Sequence, residues 1–104
     1  QNQSSSSISN KDVGIFITLL ADPLVPMKEV EGYLSFMADQ LAADAVYNQA
    51  IANGFKPDEA SLEADKAMTS RGYRLSKQGV FMPKGTYSAR TKQVMQNRGL
   101  GGGN

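Results

Sequence analysis

PMKEVEGYLSFMADQLAADAVYNQAIAN, residues 26–53, holds the longest uninterrupted helical pattern in the chain. Val30, Leu34, Met37, Leu41 and Ala45 recur at helical spacing as one apolar stripe, which Tyr33, Ala38 and Ile51 widen. Proline is tolerated at a first helical position, so Pro26 suits the start. Glu29 and Glu31 then favour the positive end of the helix dipole. ADQLAADAVYNQAIA is rich in strong helix formers, and Gly54 supplies a C-terminal stop. The stretch is expected to be one long amphipathic helix, the strongest in the chain.

Upstream, NKDVGIFITLLAD (residues 10–22) has Asn10 as a candidate cap, Asp12 in the first turn, and Val13, Phe16, Ile17 and Leu20 at helical spacing. Gly14 and the β-branched Ile15, Ile17 and Thr18 leave a strand open as the alternative. Pro23 and Pro26 end the segment either way. Downstream, PDEASLEADKAMTSRG (residues 57–72) reads as a third helix, with acids in its first turns, Arg71 near its end and Gly72 as its stop.

The period then changes. YRLS and VFMP flank KQG, which predicts a short β-hairpin over residues 73–83 with Pro83 at a strand end. Thr86 or Ser88 is placed to cap a last basic helix through SARTKQVMQNR, and only Val94 and Met95 there are clearly apolar. The expected fold class is mainly α: a small helical domain of two to three helices, a short β-hairpin, and a basic C-terminal helical or extended arm. Residues 1–9 form a flexible Ser-rich lead-in, 10–83 the helical domain with its hairpin, and 84–104 the basic arm and Gly-rich tail.

A chain of 104 residues with 40% apolar and 20% charged residues has the size and balance of one globular domain, which buries roughly 60–65% of its unfolded surface. Ile15–Ala21, the longest apolar run, is too short to span a bilayer. There is no cysteine and no histidine. That removes disulfides, thiolate sites, the commonest general base and the usual zinc ligands. Asp58, Glu59 and Glu63 at a helix start make a poor cation cage and are better explained by the helix dipole. No phosphate-binding glycine loop is present. An enzyme is therefore not expected, nor a metal or other cofactor. The compartment is open: a cytoplasmic or virion-associated setting is favoured, and a secreted one is compatible. A first residue of Gln1 rather than methionine reads as a processed or trimmed form.

Charge carries the functional signal. Residues 1–65 hold ten acids against three lysines, a balance of −7, whereas residues 66–104 hold eight bases and no acid, a balance of +8. An ordinary solvated face mixes signs. The acid-free part interleaves cations with aromatics, as a surface that meets phosphates and stacks bases requires. Its candidate binding residues are Arg71, Tyr73, Arg74, Lys77, Lys84, Tyr87, Arg90, Lys92 and Arg98.

Two helices broken by NGFK, with Ala50 and Gly54 at the alanine–glycine separation of that motif, resemble a helix-turn-helix, and the following hairpin resembles the wing of a winged helix. The resemblance implies DNA reading by the third helix. That helix instead presents Asp58, Glu59, Glu63 and Asp65 against a single Lys66, a surface that phosphates repel. Two readings follow. In the first, a non-enzymatic binding protein engages nucleic acid, or another anionic partner, through its basic C-terminal third without base-specific readout. In the second, a structural assembly subunit such as a virion or filament component joins its neighbours, as a homo-oligomer, through an acidic body and a basic arm. Membrane insertion is not expected, because the basic segment has little apolar content.

Overall fold

The first helix is capped one residue earlier than its sequence suggests. Ser9 Oγ accepts the Asp12 amide at 3.3 Å while Asp12 Oδ2 accepts the Ser9 amide at 3.1 Å, a reciprocal capping box. Asn10, the expected cap, is already helical. In the computed structural model, which describes residues 9–98, four helices follow in order: α1 (Asn10–Ala21), α2 (Met27–Ala52), α3 (Pro57–Thr69) and α4 (Ala89–Asn97). The fold is mainly α, and α1 is a helix rather than a strand. Residues 1–8 and 99–104, which include the Ser-rich lead-in and the Gly-rich tail, lie outside the described residues.

At 1.5 Å per residue the 26 residues of α2 span about 39 Å and make it the spine. Its buried face runs through Glu29, Tyr33, Phe36, Gln40, Ala43 and Ala50, with Tyr47 half-buried on the same line. The expected stripe straddles this face. Val30 and Met37 turn inward, but Leu34, Leu41 and Ala45 are exposed. The shift has a polar cause. Tyr33 donates to Asp12 Oδ1 at 3.0 Å, and Glu29 receives the start of α4, so two buried polar anchors decide which side faces in. On α1 the Asp12 anchor similarly buries Ile15 and Leu19 and leaves the expected core positions Val13, Ile17 and Leu20 exposed.

α2 ends in a Schellman motif. Gly54 has φ of +93°, its amide reaches Ile51 O, and the Phe55 amide reaches Ala50 O, both at 3.0 Å. No atom lies within 4 Å of where a Cβ on Gly54 would stand. Gly54→Ala should therefore cost about 1–2 kcal/mol through backbone strain alone, measured by urea unfolding. α3 then returns along α2. Its beginning is tied to Ala50 by that turn, and the residues after it reach Asp39, where Tyr73 Oη donates to Oδ2 at 2.6 Å. Ala43 and Ala50 on α2, with Ala60 and Ala64 on α3, are the small buried residues that let the two backbones approach. The pair is an antiparallel α-hairpin, not the crossed pair of a helix-turn-helix.

The expected β-hairpin reduces to one antiparallel bridge, Leu75 to Phe81, with no strand among the described residues. Ser76 explains the shortfall. Its amide bonds Val80 O at 2.8 Å while its hydroxyl accepts the Gln78 amide at 3.2 Å, and Pro83 has no amide to extend a ladder. Phe81 is nevertheless buried beside Tyr73 in the main cluster. The expected basic arm is not an extension of the body: residues 89–97 form α4, which lies against α1 and places Val94 and Met95 in the same core as Ile15 and Tyr33.

Candidate interaction surfaces

The acid-free segment engages five of its nine candidate residues within the chain: Tyr73 and Tyr87 pack inward, while Arg71, Lys84 and Arg90 bond along the surface. Arg71 donates to Ala67 O at 2.9 Å and stands 3.5 Å from Asp39 Oδ1. Lys84 donates to Arg71 O at 2.6 Å, with its ammonium 4.5 Å from the centre of the Tyr73 ring. Both cations thus serve the carbonyl end of α3, where the helix dipole is negative. Tyr73 is buried between Phe36 and Lys84, which closes its ring to a stacking base. Burial first, and then its bond to the Asp39 carboxylate, push the Tyr73 hydroxyl well above the ordinary tyrosine range. The same two causes, with Asp12 as the partner, hold Tyr33 protonated.

α4 is fixed from the opposite side. Arg90 meets Asp22, the residue that ends α1, through Nε at 2.8 Å and an Nη at 2.7 Å. The Leu24 amide and Arg90 together hold the Asp22 carboxyl below its usual range. Glu29 accepts the Thr91 hydroxyl at 2.6 Å, the Ser88 hydroxyl at 3.0 Å and the Ser88 amide at 3.1 Å. Ser88 also caps α4 through the Thr91 amide. The acid–base complementarity legible in the two halves of the chain is therefore spent, to this extent, within one molecule.

Tyr87 lies half-buried across Gly32, and a Cβ on that glycine would stand 2.8 Å from the tyrosine oxygen. The Tyr87 hydroxyl is shut from solvent with no hydrogen-bond partner among the described residues. Burial, with the nearby Glu29 charge, raises its pKa. Tyr87→Phe should stabilise the fold by about 1 kcal/mol or more, visible as a rise in Tm, because an unpaired buried hydroxyl is removed.

Arg74, Lys77, Lys92 and Arg98 remain exposed, and their side chains make no hydrogen bond or ion pair with a described residue. Arg98 lies over α1, its guanidinium 3.3 Å from where a Cβ on Gly14 would stand. No group of three or more metal-ligating side chains occurs among the described residues, and no helix of the described chain is long and apolar enough to cross a membrane.

A second surface was hidden in the sequence. Met27, Leu34 and Leu41 are 58%, 51% and 61% exposed on the outward face of α2. Glu31, Ala38, Ala45, Asn48 and Ala52 complete that face, and all are exposed. From Gly32 to Asn53 the only charged residues are Asp39, occupied by Tyr73 and Arg71, and the half-buried Asp44. An exposed helix face whose one charge, Glu31, stands near its N-terminal end is unlike ordinary solvated surface. The signal was present as a second four–three spacing, offset by two residues from the buried set. At 100° per residue, that offset places it on the opposite side of the helix. Further apolar groups, Val46, Ile51, Phe55 and Leu62, are exposed around the α2–α3 turn, where an open cleft of about 360 Å³ is lined by Val46, Gln49, Phe55 and Glu63. No protein-family model, curated protein or solved structure matches this chain.

Proposed function

We propose that this chain is a non-enzymatic assembly subunit, joining copies of itself through apolar helix surfaces. The carrying observation is the outward face of α2, which bears a single charge, Glu31, and whose large side chains are more than half exposed. The acidic body and basic segment contribute by holding the monomer together rather than by bridging neighbours, since Arg90 and Arg71 find Asp22 and Asp39 within their own chain. Sedimentation velocity over a concentration series tests the reading. Self-association that persists at high salt supports it, because burial of apolar surface is not screened. A monodisperse monomer at millimolar protein overturns it.

Arg74, Lys77, Lys92 and Arg98 favour a second reading, in which the same molecule holds an anionic partner such as nucleic acid. Four phosphate contacts would give a salt slope of about −3 to −4 on duplex DNA. Replacing all four by glutamine should abolish binding to mixed DNA or RNA at low salt. Absence of any gel shift with the unaltered protein removes this reading.

A further inference from the structure

We infer that the outward face of α2 pairs with the same face of a second copy, antiparallel, about a two-fold axis level with Asp39 and Gln40. The inference rests on the assembly reading and names its interface. The exposed positions 27, 31, 34, 38, 41, 45, 48 and 52 alternate in steps of four and three, a seven-residue repeat. That repeat keeps one seam against a partner helix in a left-handed pair.

The order of residues along the seam selects both the partner and its direction. In an antiparallel pair centred between residues 39 and 40, position i faces position 79 − i. Leu34 then meets Ala45 of the second copy, and Leu41 meets Ala38. Met27 meets Ala52. Each large side chain finds an alanine, so the helices interdigitate without voids and their backbones approach closely. Glu31, the seam's one charged residue, meets Asn48, whose side-chain amide can donate to the carboxylate. A parallel pair would instead set Glu31 on Glu31 and leucine on leucine, placing two carboxylates together at the interface. A two-fold contact requires a surface complementary to itself, and this one is. α1, α3 and α4 do not obstruct it, since all eight positions are exposed.

The experiment uses the full chain. Leu34→Asp with Leu41→Asp changes two exposed side chains, so helix content and Tm should hold while the dimer dissociation constant weakens about 100-fold or more. The direction is read by cross-linking, because the chain has no cysteine. A Glu31→Cys, Asn48→Cys double variant should oxidise to a covalent dimer. The two positions are about 25 Å apart along one helix and cannot close on themselves. Glu31→Cys alone should link poorly. If unaltered protein associates and the aspartate variant associates equally well, this face is the wrong one while the assembly reading stands. If the unaltered protein stays monomeric at millimolar concentration, both fall. If Glu31→Cys alone links as readily as the double variant, the antiparallel register is wrong.

Discussion

Phe36→Ala is expected to cost about 3–5 kcal/mol, the range for removing a buried phenylalanine. Phe36 is 1% exposed at the place where the middle of α2 meets the end of α3. Its ring stands 5.5 Å from Tyr33 in an edge-on arrangement and 5.6 Å from Tyr73 in a tilted one. Neither neighbour can collapse into the space. Tyr33 is held by Asp12 and Tyr73 by Asp39, so shifting either ring would break a buried or half-buried hydrogen bond. A domain of this size has about 5–15 kcal/mol of stability in all. The loss should lower Tm by more than about 12 °C, measured by circular dichroism. Phe36→Leu keeps an apolar side chain and should recover most of the loss. A fall of less than about 1 kcal/mol for the alanine variant would show that Tyr33 and Tyr73 do collapse into the space.

Glu29→Ala is expected to cost about 3 kcal/mol and to act on α4. The carboxylate is buried and is shared by Thr91, itself fully buried, and by both donors of Ser88. Removing it leaves the Thr91 hydroxyl and the Ser88 amide without an acceptor, while the Ser88 hydroxyl keeps Thr91 Oγ1 at 3.2 Å, and each unpaired buried donor costs about 1–3 kcal/mol. Trypsin should then cut after Arg90 and Lys92 at protein concentrations where the unaltered chain resists. The same site predicts an acid limb. The Thr91 hydroxyl, followed by the Ser88 donors, holds Glu29 below its ordinary 4.5 despite the opposing cost of burial. A depressed carboxyl contributes stability that is present above 4.5 and lost as pH falls through the lower folded value. Glu29→Gln should flatten that limb in urea midpoints taken below pH 5. An unchanged limb would place the acid sensitivity elsewhere, with Asp22 next in line because its pKa is also lowered.

Both effects turn on residues whose partners are distant in sequence, and legibility follows that distance. The positions of α2, α3 and α4, the stop at Gly54 and the cap at Ser88 could be read locally, because propensity, capping and positive φ act within about one helical turn. The inward face of α2 could not. Its two four–three stripes differ little in apolarity, and the buried one contains Glu29 and Gln40, which sequence reasoning assigns to solvent. The expected hairpin does not extend into a ladder because Ser76 competes for the amides a ladder needs.

Of the nine residues proposed to meet an anionic partner, Arg71, Tyr73, Lys84, Tyr87 and Arg90 pack or bond within the chain, and no local pattern marks them as different from Arg74, Lys77, Lys92 and Arg98. Arg90 lies 68 residues from Asp22, and Ser88 lies 59 from Glu29. By itself the amino-acid order determined a helical chain, where its helices end, and a strong separation of charge. The tertiary structure alone decided that part of this charge is neutralised inside one molecule and that a face of α2 with the single charge of Glu31 is left outward. Helix signals are properties of neighbours a few residues apart, whereas burial and ion pairing depend on which distant side chains reach the same place first.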